Sequence, residues 1–218
     1  MAGGEAMVGS DDRIERAGLL YERAVFGGDA GALATAKREL DGVEADLALA
    51  RGRIVHARFL EGWDEDPREL ALFERAVRLY RMLGDARGEG ETLFWVGVFH
   101  QVIRHDDGTA VPALKRSLEL ATQVGDRPTM SYALRHLGIA EHTAGRLEAA
   151  RRLLEESVRL RREVGFLPGV AANLVGLIYI AAAQGRRDEA LATEAAEAAQ
   201  ASGARGLLSQ VEEARTRI

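Results

Sequence analysis

Gly84, Gly125, Gly165 and Gly203 follow one another at intervals of 41, 40 and 38 residues, each closing an amphipathic run. Glycine in that place accepts the left-handed conformation with which many helices end. Counting back from each glycine gives aligned columns. Eleven residues earlier stand Phe73, Leu114, Leu154 and Ala192. Eight earlier stand Ala76, Ser117, Ser157 and Ala195, all small, and seven earlier Val77, Leu118, Val158 and Ala196. Five earlier stand Leu79, Leu120, Leu160 and Ala198. Spacings of three and four place these residues on one face of a helix.

A second glycine series, Gly97, Gly138 and Gly176, lies inside the partner helices. Each such glycine costs about 1 kcal/mol relative to alanine, so its repetition implies close approach by a neighbouring helix. Val96, Leu137 and Val175 directly precede these glycines, and Leu93, Leu134 and Ala172 stand four before them. The unit is therefore helix, short turn, helix. Neither helix can bury its apolar stripe alone, and stacking of neighbouring units solves this as in a solenoid.

Composition agrees. Of 218 residues 47% are hydrophobic but only 6% aromatic, prolines number four, and alternating β-branched runs are absent. The expectation is an all-α fold, an α-solenoid of about ten helices. Residues 1–10, "MAGGEAMVGS", read as a flexible tail, and 11–64 as irregular N-terminal helices forming an opening repeat. Residues 65–204 read as the repeats and 205–218 as a C-terminal capping helix. Within the opening region, 11–28 reads as one helix capped by Ser10 or Asp11, and the next helical stretch is interrupted by Gly42 and Gly52. Pro67 suits the first turn of the helix that follows.

These residues resemble the tetratricopeptide repeat family. Its pattern is matched best by Leu134, Leu137-Gly138, Ala150, Leu154 and Ser157, and again by Val175-Gly176, Tyr179 and Ala190. The sequence departs from that pattern where Leu stands for the second aromatic, where Ser117 and Ser157 stand for alanine, and where the terminal proline is missing. A period near 40 resembles the longer, degenerate variety found beside bacterial transcriptional activators and signalling proteins. The resemblance covers residues 65–204 and implies a fold more than a function.

Several function classes are excluded. A net charge of −5 argues against a nucleic-acid binder, which needs a basic face. Six arginines between Arg146 and Arg162 interleave with Glu148, Glu155 and Glu156, the pattern of a solvated helix face that compensates its own charge. With no cysteine, thiolate metal sites and disulfides are ruled out. The first ten residues do not read as a signal peptide, and no apolar stretch reaches membrane-spanning length. A cytoplasmic location is expected. His100 and His105 are out of phase on a helix, so no metal is expected there. The turn after them should cap the next helix through Asp107 or Thr109. His136 and His142 are also out of phase. "GDARGEGE" at 84–91 carries three carboxylates and no Gly-Lys-Ser/Thr ending, so it reads as an inter-repeat turn and not a phosphate loop. No catalytic motif is present. The chain is expected to be no enzyme, with no cofactor and no metal.

The family resemblance implies that the first helix of each pair lines a concave face. Its partner-contacting positions fall on Glu91, Phe94, Val98 and Gln101, on Tyr132, Arg135, Ile139 and His142, and on Val170, Asn173, Leu177 and Ile180. The leading expectation is a non-catalytic scaffold, with a regulatory role, for a protein or peptide held on that face. Arg135 and Asn173 together suit a carboxylate, although the family's lysine and asparagine clamp is not reproduced. A sensory module for a small molecule or signal peptide, and a structural homo-oligomer, are the alternatives. Trp95 is expected in the core. Trp63 is expected at the surface, available to a partner or a second copy.

Overall fold

A computed structural model describes residues 10–216. The tail expected at 1–10 lies outside the described residues, apart from Ser10, which opens the first helix. Among the described residues the regular elements are helices throughout: α1 (Ser10–Gly27), α2 (Ala32–Gly62), α3 (Arg68–Leu83), α4 (Ala86–Val98) and α5 (Asp107–Val124). They continue as α6 (Arg127–Thr143), α7 (Leu147–Glu163), α8 (Leu167–Ala183), α9 (Glu189–Ala201) and α10 (Arg205–Arg215). Residues Phe99–Ile103 prolong α4 as a π-helical turn. Within each unit helices pack on their neighbours in chain order, α1 on α2 and α2 on α3 in the first, and α5 through α10 in succession in the second, the pattern of an all-α solenoid of helix–turn–helix repeats. The chain forms two compact units, Met1–Thr92 and Leu93–Ile218, and the division falls inside α4.

The closing glycines behave as their spacing predicts. Gly84, Gly125, Gly165 and Gly203 have φ of 73°, 69°, 72° and 68°. In each copy the next residue donates its N–H to the carbonyl five residues back: Asp85 to Tyr80, Asp126 to Ala121, Phe166 to Arg161, Ala204 to Ala199. That bond satisfies a carbonyl the helix end would otherwise strand.

In the Leu93–Ile218 unit the inner glycines face the leucines eleven before the closing glycines. A Cβ on Gly97 would stand 2.6 Å from Leu114 Cγ, and one on Gly138 3.1 Å from Leu154 Cγ. One on Gly176 would meet Leu154 Cδ1 at 3.0 Å. Close helix approach thus explains the second glycine series. In the first unit the same pairing appears between Gly52 and Phe73, where a Cβ would meet the ring at 2.4 Å. Close approach of α2 and α3 at Gly52 and Phe73 is thus the first unit's counterpart of the Gly97–Leu114 and Gly138–Leu154 contacts.

Two local expectations are corrected. Gly42 and Gly52 do not interrupt α2, which runs unbroken for 31 residues. Burial of Ala45, Leu49, His56 and Phe59 along it outweighs about 1 kcal/mol per glycine. The helix ends instead at Trp63, left-handed at φ 58°, whose N–H reaches Phe59 O at 2.6 Å. The cap of α5 is Asp106, whose Oδ1 accepts the Thr109 N–H at 3.1 Å, and not Asp107 or Thr109. Pro67 stands at the N-cap of α3, just ahead of its first turn.

Candidate functional site

The candidate site is a polar node inside the Leu93–Ile218 unit, joining α6, α7 and α8. Asn173 on α8 is fully buried, and its Oδ1 accepts from two guanidinium groups, Arg135 Nη1 at 2.9 Å and Arg161 Nη1 at 3.0 Å. Each arginine also donates to a backbone carbonyl of α8, Arg135 to Ala172 at 2.8 Å and Arg161 to Gly169 at 2.7 Å. The amide nitrogen of Asn173 donates to Ser157 Oγ at 2.7 Å, and that hydroxyl donates to Ser131 O at 2.5 Å. The small column eight before the closing glycine thus supplies a hydroxyl where space is tightest.

Arg161 is 2% exposed, yet it carries a charge into the core with no acid beside it. Its guanidinium lies over the rings of Tyr132 (5.0 Å) and Phe166 (5.6 Å), whose faces stabilise a cation. Its Nε has no hydrogen-bond partner. Burial, and then the charge of Arg135, push its pKa down to about 10. Burial likewise lowers that of Arg135. Among the described residues no carboxylate pairs with either guanidinium. Two like charges therefore share neutral acceptors only, an arrangement that favours an incoming anion.

Arg161 is also where the sequence reading of the 146–162 arginines needs correction. Four of the others form a self-compensating face: Arg146 with Glu141, Arg151 with Glu148 and Glu155, Arg159 with Glu156 and Glu163, and Arg162 with Glu194. Arg161 does not. It stands four before Gly165, in a column that otherwise reads Tyr80, Ala121 and Ala199, all buried. A charged residue in that column was the signal that could have revealed it.

The expected concave-face residues divide by burial. Tyr132, Arg135, Ile139 and His142 are partly exposed along α6. Phe94, Val98, Asn173 and Leu177 are buried, as are Val170 and Ile180. Phe94 packs on Tyr132 (centroids 5.3 Å apart) and on His136 (5.4 Å), and Tyr132 in turn on Phe166 (5.9 Å). Leu177 borders a cavity of about 230 Å³ with Val158 and Arg162. Gln101 is buried, with its amide nitrogen on Asp107 (2.9 Å) and on His136 O (3.1 Å). Glu91 belongs to the first unit, where Arg53 contacts it at 3.2 Å. The node thus brings together Tyr132, Arg135 and Asn173 from the expected set and adds Arg161, Ser157 and Phe166.

Trp95 is partly buried against the Phe94 cluster, and Trp63 is 67% exposed. His105 is exposed in a left-handed turn (φ 51°), and His100 packs on Phe99. Among the described residues no helix is long and apolar enough to cross a membrane.

Paired helices stacked in sequence, with a polar node joining α6, α7 and α8, define a helical-repeat protein. Residues 96–163 match the family model described as Tetratricopeptide repeat. The matched segment contains Gly97, Gly138 and both leucines that face them. No curated protein matches the chain. Repeats of this family mediate protein–protein interaction.

Proposed function

We propose that the Leu93–Ile218 unit holds a peptide or protein segment along α6, with an acidic group of the partner docked against Arg135. The observation that carries this reading is the Arg135–Arg161–Asn173 node, two guanidinium groups without a counter-ion. An incoming carboxylate would supply the missing charge and accept from the partly exposed face of Arg135. Tyr132 and His142 flank that position on the same helix and supply aromatic and hydrogen-bonding contacts. Asn173 and Arg161 act from beneath, by orienting Arg135. On this reading the chain is non-catalytic, acts in the cytoplasm, and regulates through whatever segment it holds.

Binding of labelled peptides, acidic and neutral versions of the same sequences, tests the reading by fluorescence anisotropy. The acidic versions should bind more tightly. Arg135→Glu should abolish that difference, a loss of about 2 kcal/mol or more of binding free energy, with helicity and melting temperature unchanged. Equal binding of both versions, or loss of folding together with binding, would overturn it. Arg135→Glu is preferable to Asn173→Ala, because Asn173 lies in the core.

A further inference from the structure

Helix α2 is apolar on two faces. One face buries Ala45, Leu49, Gly52 and Phe59 within its own unit. On another, Leu33, Leu40, Leu47 and Ile54 recur at seven-residue intervals and are 55%, 46%, 46% and 57% exposed. Soluble helices normally present polar residues on the face turned to water. A seven-residue apolar repeat sustained over a helix of 31 residues is the pattern with which one helix seats against another. Between these four stand Val43, Ala50 and Ala57, the first partly buried and the two alanines exposed.

We propose that this seam pairs with the same seam of a second copy, antiparallel, about a two-fold axis passing between Ala48 and Leu49. Three features of the sequence select a second copy in that orientation. First, the stripe is self-complementary in that register. Leu47 falls opposite Ala50 of the second copy, Leu40 opposite its Ala57, and Ile54 opposite its Val43. A large residue meets a smaller one in each of these layers, as close helix packing requires, and a two-fold interface uses the same patch on both chains; Leu33 lies beyond them, opposite a position past the end of α2. Second, charge is graded along the helix. Glu39, Asp41, Glu44 and Asp46 outnumber Lys37 and Arg38 before the centre, and Arg51, Arg53 and Arg58 outnumber Glu61 after it. Antiparallel pairing sets the acidic half against the basic half, whereas parallel pairing sets like against like. Third, Arg51 forms no ion pair among the described residues. Glu44, whose side chain is 49% exposed, holds Arg75 through both oxygens and retains lone pairs for a second donor. The register puts Arg51 of each chain beside Glu44 of the other.

The interface lies on α2 and the peptide reading on α6, so the two stand or fall separately. Arg135→Glu should leave self-association untouched.

The test is sedimentation equilibrium over a range of concentrations, with distances between spin labels. The wild-type chain should be a dimer. Leu47→Glu, at a position already half exposed, should give a monomer of unchanged helicity across the range in which the wild type is dimeric. Arg51→Glu should weaken the dimer, and Glu44→Arg added to it should restore it. The chain has no cysteine, so a single label can be placed at Ala34→Cys. At 1.5 Å per residue, antiparallel pairing about the stated axis separates the two labels by about 40 Å. A wild type that is monomeric up to its solubility limit would overturn the proposal. So would a dimer that survives Leu47→Glu, or labels within about 20 Å of each other, the parallel arrangement.

Discussion

Each unit of the chain buries ionisable groups, and the two do so in opposite ways. In the first, His56 Nδ1 lies 2.8 Å from Glu69 Oε1, one basic side chain facing one acidic one, with Glu69 wholly enclosed. In the second, Arg161 and Arg135 face each other across a neutral amide. That pair supplies its own counter-charge, although the second oxygen of Glu69, Oε2, has no hydrogen-bond partner. A buried pair of like charges held by neutral acceptors has no counter-ion among the described residues.

The largest expected effect tests the first half of that contrast. Glu69→Ala removes the carboxylate beside buried His56 and should cost about 3 kcal/mol in urea unfolding. Replacing both residues, as His56→Leu with Glu69→Leu, should cost less than the single change. A double variant weaker than the single would show that the pair is no closed unit.

The second half predicts a smaller change of opposite character. Arg161→Met exchanges a buried cation for an apolar chain of similar length. Its unfolding free energy should stay within about 1 kcal/mol of wild type or rise, although it loses two hydrogen bonds, while preference for acidic peptides falls. If Arg161→Met destabilised the protein as much as Glu69→Ala, the node would be a structural clasp and the contrast would fail.

The smallest effect lies in alkaline solution, and it sets two residues of the same repeat column against each other. Tyr80 donates to Asp46 at 2.7 Å. Burial first, and then that hydrogen bond, raise its pKa above the usual tyrosine value. The unfolded chain therefore loses this proton first, so the stability Tyr80 contributes is present below about pH 10 and lost as pH rises. Arg161 runs the other way. With its folded pKa lowered to about 10, the penalty for burying its charge is present below that pH and relieved above it. Melting temperatures between about pH 9 and 11 should thus fall less in Tyr80→Phe than in wild type, and more in Arg161→Met. Parallel profiles for all three chains would remove both assignments.

Much of the fold was legible because its determinants are local and repeated. A closing glycine, an apolar residue eleven before it and an inner glycine on the partner helix recur, and Gly97 and Gly138 pack on Leu114 and Leu154 as that spacing implies. The opening repeat was harder to read because Gly52 sits inside a long helix, where it resembles a break. Only its contact with Phe73, 21 residues on, shows it to be the counterpart of Gly97 and Gly138. The candidate site was half legible. Tyr132, Arg135 and Asn173 follow from position within the repeat. Arg161 was hidden among arginines that do pair with glutamates at three- and four-residue spacing, and only its column set it apart.

The π-helical turn at Phe99–Ile103 carries a consequence for how such a chain tolerates changes in length. Gly97 lies 28 residues before its closing glycine, whereas Gly138 and Gly176 lie 27 before theirs. A wider helical turn takes up one extra residue within a continuous helix, so Gly97 still meets Leu114 as Gly138 meets Leu154. The surplus is held in the wall of the repeat and leaves its corners unchanged. A codon lost there would narrow the turn to an ordinary helix and leave every later repeat in phase, whereas a codon lost inside α7 would rotate a whole face away from its neighbours.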